Sequence, residues 1–470
     1  MRTARPELID TDKNEKTDRK AESDDGTIVK VEVSHVNHKD TLFKTILNIM
    51  FLGLGTSALA IVKVPFNISI IFTPVCIIVG GICNIWSYRI LGDLYEKYKI
   101  TDYERLTEKI HGFGVKILLF VTLNIYTVGL ILIHQVLTYR LLGGIVNVIG
   151  NYGYDSMLDF LEKEFWSKIW CKFAVNFGIG ILIIYPLCLM TDMKKLNVSS
   201  LIGVFTTLLM LLIVLVQFPG YVYHFVKEYG NDNWVDCVNF YNVDEGFTRR
   251  VYFIQYLALF FFCFTGHNGL LPALEHLENP TPQRRNFLYN MAIGMDMIIY
   301  FIISVTGYLS VPKEGIEIVF ERKRIWDKDI VMTIGRIGLI PMAISKIQVN
   351  HNIWRISYFS TISDGHENLT LRNNLIFTAV TLLITTTAAS AYQNVVGYIS
   401  LIGCFCVVIP AFLIPALLYM KDNGRGLKDW KNLVNLIIGS LLCIIGYISG
   451  ALSIVELVDP PPNKFAEQEA

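Results

Sequence analysis

The sequence predicts an all-α membrane protein with about eleven transmembrane helices, arranged as two inverted repeats of five helices followed by one more. First, 53% of the 470 residues are hydrophobic, the mean hydropathy is +0.44 and charged residues make up 17%, below the roughly 25% of soluble domains. Second, the charges fall in clusters separated by apolar runs of about 20 residues, the length that crosses a bilayer. Third, two of these runs, five spans apart, are interrupted by glycines, which indicates two repeats of opposite orientation.

The apolar runs set the expected spans and domains. The expected spans are Thr45–Phe66, Ser69–Leu91, Val115–Tyr139, Phe173–Met190, Ser200–His224, Val251–Leu274, Leu288–Val311, Ile330–Asn350, Leu375–Ala391, Val395–Met420 and Leu433–Leu457. The expected domains are a disordered cytosolic tail (1–44), a first five-helix repeat (45–224), an extracytosolic loop (225–250), a second repeat (251–420), the eleventh helix with its preceding loop (421–457) and a C-terminal tail (458–470). The first tail is polar and lacks the apolar stretch of a signal peptide.

Basic residues in the short loops predict how the chain crosses the membrane, because Lys and Arg accumulate on the cytosolic side. With eleven spans, the basic clusters all fall on the side of the N-terminal tail. They are Lys194-Lys195, Arg284-Arg285, Arg355 with Arg372, and Lys421, Arg425, Lys428 and Lys431. We therefore expect a cytosolic N-terminus and a C-terminus on the opposite side.

The middle of the first expected span is unlike an ordinary membrane anchor. The glycines and small residues of Gly53-Leu54-Gly55-Thr56-Ser57, followed by Ala58, stand where a spanning helix usually has Leu, Ile or Val, and glycine holds a helix poorly. Inside a membrane, an opened backbone must line a cavity or be buried in protein. N–H groups freed at such a break suit a carboxylate, so we predict that these residues bind a substrate carboxylate. The alternative is that the glycines only let two helices pack closely.

The sixth expected span carries a second interruption. It consists of Thr265, Gly266, His267, Asn268 and Gly269. Such residues in mid-span are costly unless they face a cavity or a partner, and carbonyl groups freed at a helix C-terminus suit an ammonium group. We predict that Phe264, Thr265, Gly266 and His267 receive a substrate ammonium group and shape its side-chain pocket. The alternative is a helix kinked at Pro272, with His267 bonded to a neighbour.

Polar residues elsewhere in the spans are candidates for ion coupling. We single out Asn48, Ser345 and Lys346. Lys346 is expected about one turn from the cytosolic end of span eight, and two interpretations are open. Its ammonium group reaches the lipid headgroups, as we expect for Lys63. Alternatively, it points inward beside span one, where it replaces a bound sodium ion or exchanges a proton. Further candidates for a proton relay are His134, Asp296, Asn124 and Asn176.

The composition argues against several function classes. A formal net charge of zero gives no sign of nucleic acid as a partner, and no GxSxG, Walker-type or HExxH motif indicates an enzyme. The nine cysteines lack metal-binding spacing and mostly lie in apolar runs, so we expect no metal and no cofactor. A disulfide between Cys171 and Cys237 stays open, because both are expected on one side of the membrane.

At this level of detail the chain resembles the amino acid/auxin permease family over Thr45–Leu457. The motifs that carry the resemblance are Asn48…Gly53-Leu54-Gly55, FFFCFTGHNGLLPALEHLENPTPQRR from Phe260 to Arg285, Tyr300…Gly307-Tyr308, the pair Arg336 and Arg355, and GYISLIGCFCVVIPAFLIPALLYM from Gly397 to Met420. The second motif is the most specific. The resemblance implies a LeuT-like inverted-repeat fold, eleven spans, a cytosolic N-terminus and secondary transport of amino acids. It carries Gly53, Gly55 and Thr265–His267 over as substrate contacts.

The chain departs from the family pattern at two positions. Thr56-Ser57-Ala58 follow the first glycines, and the next proline is Pro65, whereas the family usually has an apolar run and an earlier proline. Some sodium-coupled members have a hydroxyl residue near the position of Lys346. A lysine there implies proton coupling or uncoupled exchange.

The sequence thus predicts a secondary active transporter, a symporter that moves amino acids by alternating access and is proton-coupled or sodium-independent. Its partners are an amino acid, protons and the lipid bilayer, in the plasma membrane or a vacuolar or lysosomal membrane. The alternative is an amino-acid sensor that signals through the tail 1–44. Deleting the tail and measuring amino acid uptake would distinguish the sensor from the transporter. An ion channel is the weaker reading, because no acidic filter or repeated pore loop is visible.

Overall fold

The computed structural model shows an all-helical chain and describes residues 40–54, 56–154, 157–163, 165–190, 194–229, 238, 254, 256–257, 259–312, 316–325, 329–362 and 370–458. Within these residues, nine helices are long and apolar enough to cross a membrane, and the bent pair Leu42–Gly53 and Ser57–Ile68 makes a tenth candidate span. The sixth expected span lies partly outside the described residues, so the count of eleven is not confirmed. The all-α membrane architecture is confirmed.

The helices follow the expected spans closely. In chain order they are α1 (Leu42–Gly53), α2 (Thr56–Ala60), α3 (Lys63–Ile68), α4 (Phe72–Tyr98), α5 (Tyr103–His111), α6 (Phe113–Ile149), α7 (Met157–Lys163), α8 (Ile169–Leu189), α9 (Lys194–Tyr229), α10 (His267–His276), α11 (Pro282–Ser310), α12 (Ile330–Ile362), α13 (Leu371–Ala391), α14 (Val395–Asp422) and α15 (Trp430–Val458). Short 3-10 turns lie at Phe165–Ser167, Val319–Glu321 and Gly426–Lys428.

Polar residues fix where several spans begin. The side chain of Thr41 accepts a hydrogen bond from the backbone N–H of Lys44 at the start of α1. Thr281 and Asn394 make the equivalent contact at the starts of α11 and α14. Such capping satisfies N–H groups that the first helical turn leaves unpaired.

The helices turn apolar surfaces outward and keep polar side chains inside. Leu182, Val216 and Ile298 are 77%, 65% and 61% exposed, whereas Gln217 and Asp296 on the same spans are almost fully buried. This distribution is typical of a protein surrounded by lipid, where polar groups must find partners within the protein. The chain is a multi-pass membrane protein.

Two expected span ends are wrong, for the same physical reason. Span three was expected to end at Tyr139 and span eight at Asn350, but α6 and α12 continue for ten and twelve more residues. Arg140 directly follows the first of these expected ends, and Arg355 was expected in a loop beyond the second, yet both are buried. Arg140 pairs with carboxylates, and Arg355 donates to the carbonyl of Cys188 at 2.9 Å.

Arg355 is therefore a residue inside a helix rather than a loop charge, which leaves only Arg372 in that cluster of the expected orientation. Other bounds shift slightly. Helix α1 begins at Leu42, within the expected tail, and α9 runs to Tyr229, within the expected loop 225–250. The rest of that loop, apart from residue 238, lies outside the described residues, as does Cys237. The disulfide and the cytosolic N-terminus stay predictions.

The long spans α6 and α12 pack against each other along the centre of the bundle. The start of α1 meets the end of α10, where Asp40 N donates to the carbonyl of His276 at 2.6 Å. We call this side of the bundle the N-terminal face, and the helix α5 also lies there. The segment Ile316–Ile325, between α11 and α12, lies at the opposite face.

Candidate functional site

The first predicted break is present in the structure. Helix α1 ends at Gly53, Leu54 adopts an extended backbone with φ −64° and ψ 144°, and the helix restarts at Thr56. The segments on the two sides of the break meet at 55°. Gly55 and the side chain of Thr56 lie outside the described residues.

The second predicted break is also present. The chain is helical through Cys263, turns at Phe264, is not helical at Thr265 and Gly266, and resumes as α10 at His267. Pro272 lies inside α10, several residues after the break. A kink at Pro272 therefore does not account for the interruption.

The two breaks cross in direct contact, and glycine makes this possible. A Cβ on Gly53 would lie 3.0 Å from Asp296 Oδ2 and 3.3 Å from the carbonyl oxygen of Cys263. In return, a Cβ on Gly266 would lie 2.8 Å from the Cβ of Leu52. The glycines at each break thus give room to the other segment.

Tyrosine hydroxyl groups cap the carbonyl groups that the breaks release. The hydroxyl of Tyr300 lies 2.9 Å from Gly53 O and 2.8 Å from Cys263 O, so it ties the two breaks together. Tyr88 donates to Phe264 O at 3.0 Å. Tyr126 donates to Thr265 O at 3.1 Å. All three rings are buried. Sequence reasoning missed this role, although a tyrosine in mid-span, away from the interfacial belts, was its available signal.

Lys346 lies at the midpoint of α12 and points into the bundle. Its ammonium group donates to the carbonyl oxygens of Phe51 and Leu52, the latter at 3.3 Å. It also lies 4.0 Å from the centre of the Phe51 ring, within the range of a cation–π contact. The side chain is 5% exposed, so the headgroup interpretation is wrong. The ammonium group occupies the negative end of the dipole of α1.

These residues enclose a small cavity between the two breaks. It is lined by Phe51, Leu52, Gly53, Leu54, Ser57, Tyr126, Leu130, Ile133, His134, Phe262, Thr265, Asn268, Lys346, Val349 and Asn350. The centre of a water molecule can reach about 20 Å³ of it, which is room for ordered water but not for an amino acid. The structure is therefore contracted around the site.

Some predicted site residues meet at this cavity and others do not. Gly53, Leu54, Ser57, Thr265 and Lys346 line it. The remaining described candidates outside the lining are Phe264, Gly266, His267, Asn48 and Ser345. His267 lies behind the break, where its Nε2 is 2.9 Å from Ser87 Oγ.

His134, proposed from the sequence only as a possible relay, belongs to the lining. Its Nδ1 lies 2.7 Å from Leu130 O, and its Nε2 has no hydrogen-bond partner among the described residues. Asn124 instead bonds to Phe120 O and Ser357 Oγ. An imidazole nitrogen is thus available at the cavity.

Comparison with known proteins places the chain among transporters. The family model "Transmembrane amino acid transporter protein" matches residues 38–458. The chain is 25% identical over 186 residues to vacuolar amino acid transporter 7 of Saccharomyces cerevisiae, covering 38% of this chain and 35% of that protein. It is 22% identical over 221 residues to sodium-coupled neutral amino acid transporter 4 of Pongo abelii, covering 46% and 39%. It is 20% identical over 265 residues to vacuolar amino acid transporter 5 of Schizosaccharomyces pombe, covering 55% and 56%.

The matches thus span between about a third and just over half of the length of these curated relatives. Among solved structures, MhsT in complex with L-phenylalanine is similar, with a TM-score of 0.57 and 12% identity, covering 88% of this chain and 98% of that chain. At this identity the likeness concerns the fold alone. It supports the inverted-repeat fold class expected from the sequence.

Proposed function

The chain belongs to the transmembrane amino acid transporter protein family, and from this premise we propose that it moves amino acids across a membrane by alternating access, coupled to protons and without sodium. The resemblance to amino acid/auxin permeases is confirmed by the same match. The observation that carries the proposal is the ammonium group of Lys346 on the carbonyl oxygens of Phe51 and Leu52.

The substrate class follows from the helix ends at the cavity. An amino acid carries one positive and one negative group a few bonds apart, and a broken helix offers N–H groups and carbonyl groups at similar separation. The carboxylate meets the N–H groups where the helix restarts at Thr56 and Ser57, with the charge of Lys346 nearby. The amino group meets the carbonyl groups at Thr265. The contracted cavity opens to one face at a time to admit the substrate.

The coupling follows from charge. Freed carbonyl oxygens at a helix C-terminus suit a small cation, and here a covalently attached ammonium group already binds them. A second cation at the same oxygens would be repelled. We therefore propose that transport differs in its coupling from the relative named as sodium-coupled. From the basic residues of the short loops, we also propose that the N-terminal face is cytosolic.

Uptake into proteoliposomes tests the proposal. We expect the purified protein to accumulate labelled amino acids when the outside is more acidic than the inside. A protonophore should abolish this accumulation, and replacing sodium by choline should leave it unchanged. Liposomes without protein are the control. Uptake that requires sodium, or no uptake of any amino acid, would contradict the proposal.

A further inference from the structure

Asp296 is the only acidic side chain that the described part of the chain buries within a membrane span, at 2% exposure. Its Oδ1 has no hydrogen-bond partner among the described residues. Its Oδ2 lies against the break of α1, 3.0 Å from where a Cβ on Gly53 would be. A carboxyl group with an unsatisfied oxygen in the membrane interior is costly, and such residues commonly mark ion or proton pathways.

Among the described residues, the surroundings of Asp296 contain one basic side chain. The groups that interact with it electrostatically are Lys346 from α12, Tyr88 from α4, Cys263 at the second break and Tyr300 on its own helix. Helix α9, which also packs against α11, carries no titratable residue between positions 196 and 220. Of the four groups, only Lys346 is a cation. Asp296 and Lys346 therefore approach the last turn of α1 from two different helices and carry opposite charges.

We propose that Asp296 binds the coupling proton and that Lys346 is its fixed counter-charge, an inference that rests on the proposed proton-coupled transport. Water at one face supplies the proton, which forms an O–H bond with the free Oδ1, and water at the other face takes it back. With Asp296 ionised, the two charges at the break cancel. With Asp296 protonated, the ammonium group of Lys346 is uncompensated and attracts the substrate carboxylate. Proton and amino acid binding then favour each other, which is the thermodynamic condition for symport.

Replacing Asp296 by asparagine separates exchange from accumulation. Asparagine has the shape of the protonated acid and cannot release a proton. We expect Asp296→Asn to exchange internal for external amino acid, to bind substrate with an affinity that no longer depends on pH, and to lose accumulation driven by a proton gradient. Asp93→Asn is the matched control, because its carboxyl group is 77% exposed and its partner Arg285 keeps Glu96 as a second carboxylate. This variant should behave as the wild type.

Accumulation by Asp296→Asn at the wild-type level, or substrate affinity that still varies with pH as in the wild type, would overturn the inference. A wild-type protein that exchanges amino acids but ignores a proton gradient would instead contradict the proposed coupling itself. If Asp296→Asn does not fold, Asp296→Glu is measured in its place. It should retain accumulation with a displaced pH midpoint, and an unchanged midpoint would count against Asp296 as the proton site.

A different observation concerns the two ends of the bundle, each of which is held by a buried carboxyl group. At the N-terminal face, Ser357 Oγ of α12 donates to Glu104 Oε1 of α5 at 2.5 Å. At the opposite face, Arg140 Nη1 of α6 donates to Glu321 Oε1 at 2.5 Å. The two glutamates are 5% and 1% exposed. Glu104 has no cationic partner in this contact. Burial raises its pKa to about 8, so its carboxyl group is held largely in its neutral form at pH 7.

The two contacts occupy equivalent positions in the two repeats. Glu104 precedes the first residue of α6 by 9 positions (113 − 104), and Glu321 precedes that of α12 by the same number (330 − 321). Arg140 and Ser357 each follow the first residue of their helix by 27 positions (140 − 113 and 357 − 330). The acid before α6 bonds to α12, and the acid before α12 bonds to α6. Such an exchange between halves is expected of an inverted repeat.

We infer that these contacts are two latches, one closing each end of the transport path. Both are engaged in this structure, in keeping with the contracted cavity. The turn around Glu321 also buries Ile318, Val319 and Phe320 completely, so its release would uncover one end. Releasing one latch should therefore favour the conformation open at that end and keep the other end closed.

Hydrogen–deuterium exchange of the protein in lipid nanodiscs tests the latches at a distance. We expect Glu321→Ala to slow exchange in residues 103–111, at the far end from the substitution. Ser357→Ala should slow exchange in residues 316–325. Because a hydrogen bond to a charged group shifts an equilibrium by roughly tenfold or more, we expect a change of that order for Glu321→Ala. The change for Ser357→Ala should be smaller, because the carboxyl group of Glu104 is held largely neutral. Ser360→Ala, one turn along α12 and outside the contact, is the control.

A purely structural contact would loosen its own end and leave the other unchanged or looser. Either result at the distant segments would overturn the latch assignment. Glu321→Gln, which keeps the shape of the side chain and removes its charge, gives the same comparison if the alanine variant does not fold.

Discussion

We expect Gly53→Val to abolish amino acid uptake while the protein still reaches the membrane. Valine would place a Cβ 3.0 Å from Asp296 Oδ2 and 3.3 Å from the backbone oxygen of Cys263, and its two methyl groups would need further room. Backbone at a helix crossing moves less readily than the end of a side chain, so the two breaks must separate. Overpacking of this kind costs about 1–3 kcal/mol, and it falls on the contact that encloses the substrate site. Initial uptake rates in proteoliposomes, normalised to reconstituted protein, measure the effect.

Two further variants test whether the loss of uptake depends on the size and the position of the added side chain. Gly53→Ala adds only the Cβ, so uptake should fall partway. Gly294→Val makes the same substitution in the neighbouring helix α11, where an added Cβ meets nothing within 4 Å, and uptake should stay near the wild-type rate. Normal uptake by Gly53→Val would remove the first break from the substrate site. Equal losses in Gly53→Val and Gly294→Val would indicate a general effect of valine on folding.

The sequence was informative where the local chemistry decides the structure. Consecutive helix-weak residues from Gly53 to Ser57 and from Thr265 to Gly269 predicted both breaks, because no tertiary contact is needed to see that such runs hold a helix poorly. The apolar runs likewise predicted the spans. The likeness to transporters then followed from the spacing between the breaks and from the motif around Phe260–Arg285.

The rest depends on contacts between distant parts of the chain. Arg140 and Arg355 looked like span ends because an unpaired charge cannot lie in lipid, and only the fold supplies their partners. The same misjudged end placed Lys346 near a membrane surface rather than at the midpoint of α12. The mid-span positions of Tyr88 and Tyr300 set them apart from the interfacial aromatic residues, but their carbonyl partners exist only once both breaks meet. His267 was expected in the pocket, but it lies outside the cavity lining and contacts Ser87 on α4.

The second large effect is expected at Lys346, where we predict that Lys346→Met loses proton-driven uptake roughly a hundredfold. Methionine fills the space of the lysine stem but leaves the carbonyl oxygens of Phe51 and Leu52 without their donor, and each buried unsatisfied acceptor costs about 1–3 kcal/mol. Asp296 would also lose the one cationic neighbour that it has among the described residues. Lys63→Met is the matched control, since Lys63 lies beyond the first break and outside the cavity lining, and its uptake should remain normal. Uptake rates with and without a proton gradient measure both variants.

Lys346→Ala then tests whether the ammonium group of Lys346 takes the place of a bound cation or only holds α1 against α12. Alanine removes the charge and also opens the space beside the two carbonyl oxygens, so that a small cation can reach them. If the ammonium group stands in for a bound ion, uptake by this variant should depend on sodium, whereas Lys346→Met, with the space filled, should stay inactive in sodium. Loss of activity in both variants regardless of sodium would limit Lys346 to holding α1 against α12. Unchanged kinetics in Lys346→Met would contradict any part for this lysine in transport, because the same two carbonyl groups would then tolerate the loss of their only observed side-chain donor among the described residues.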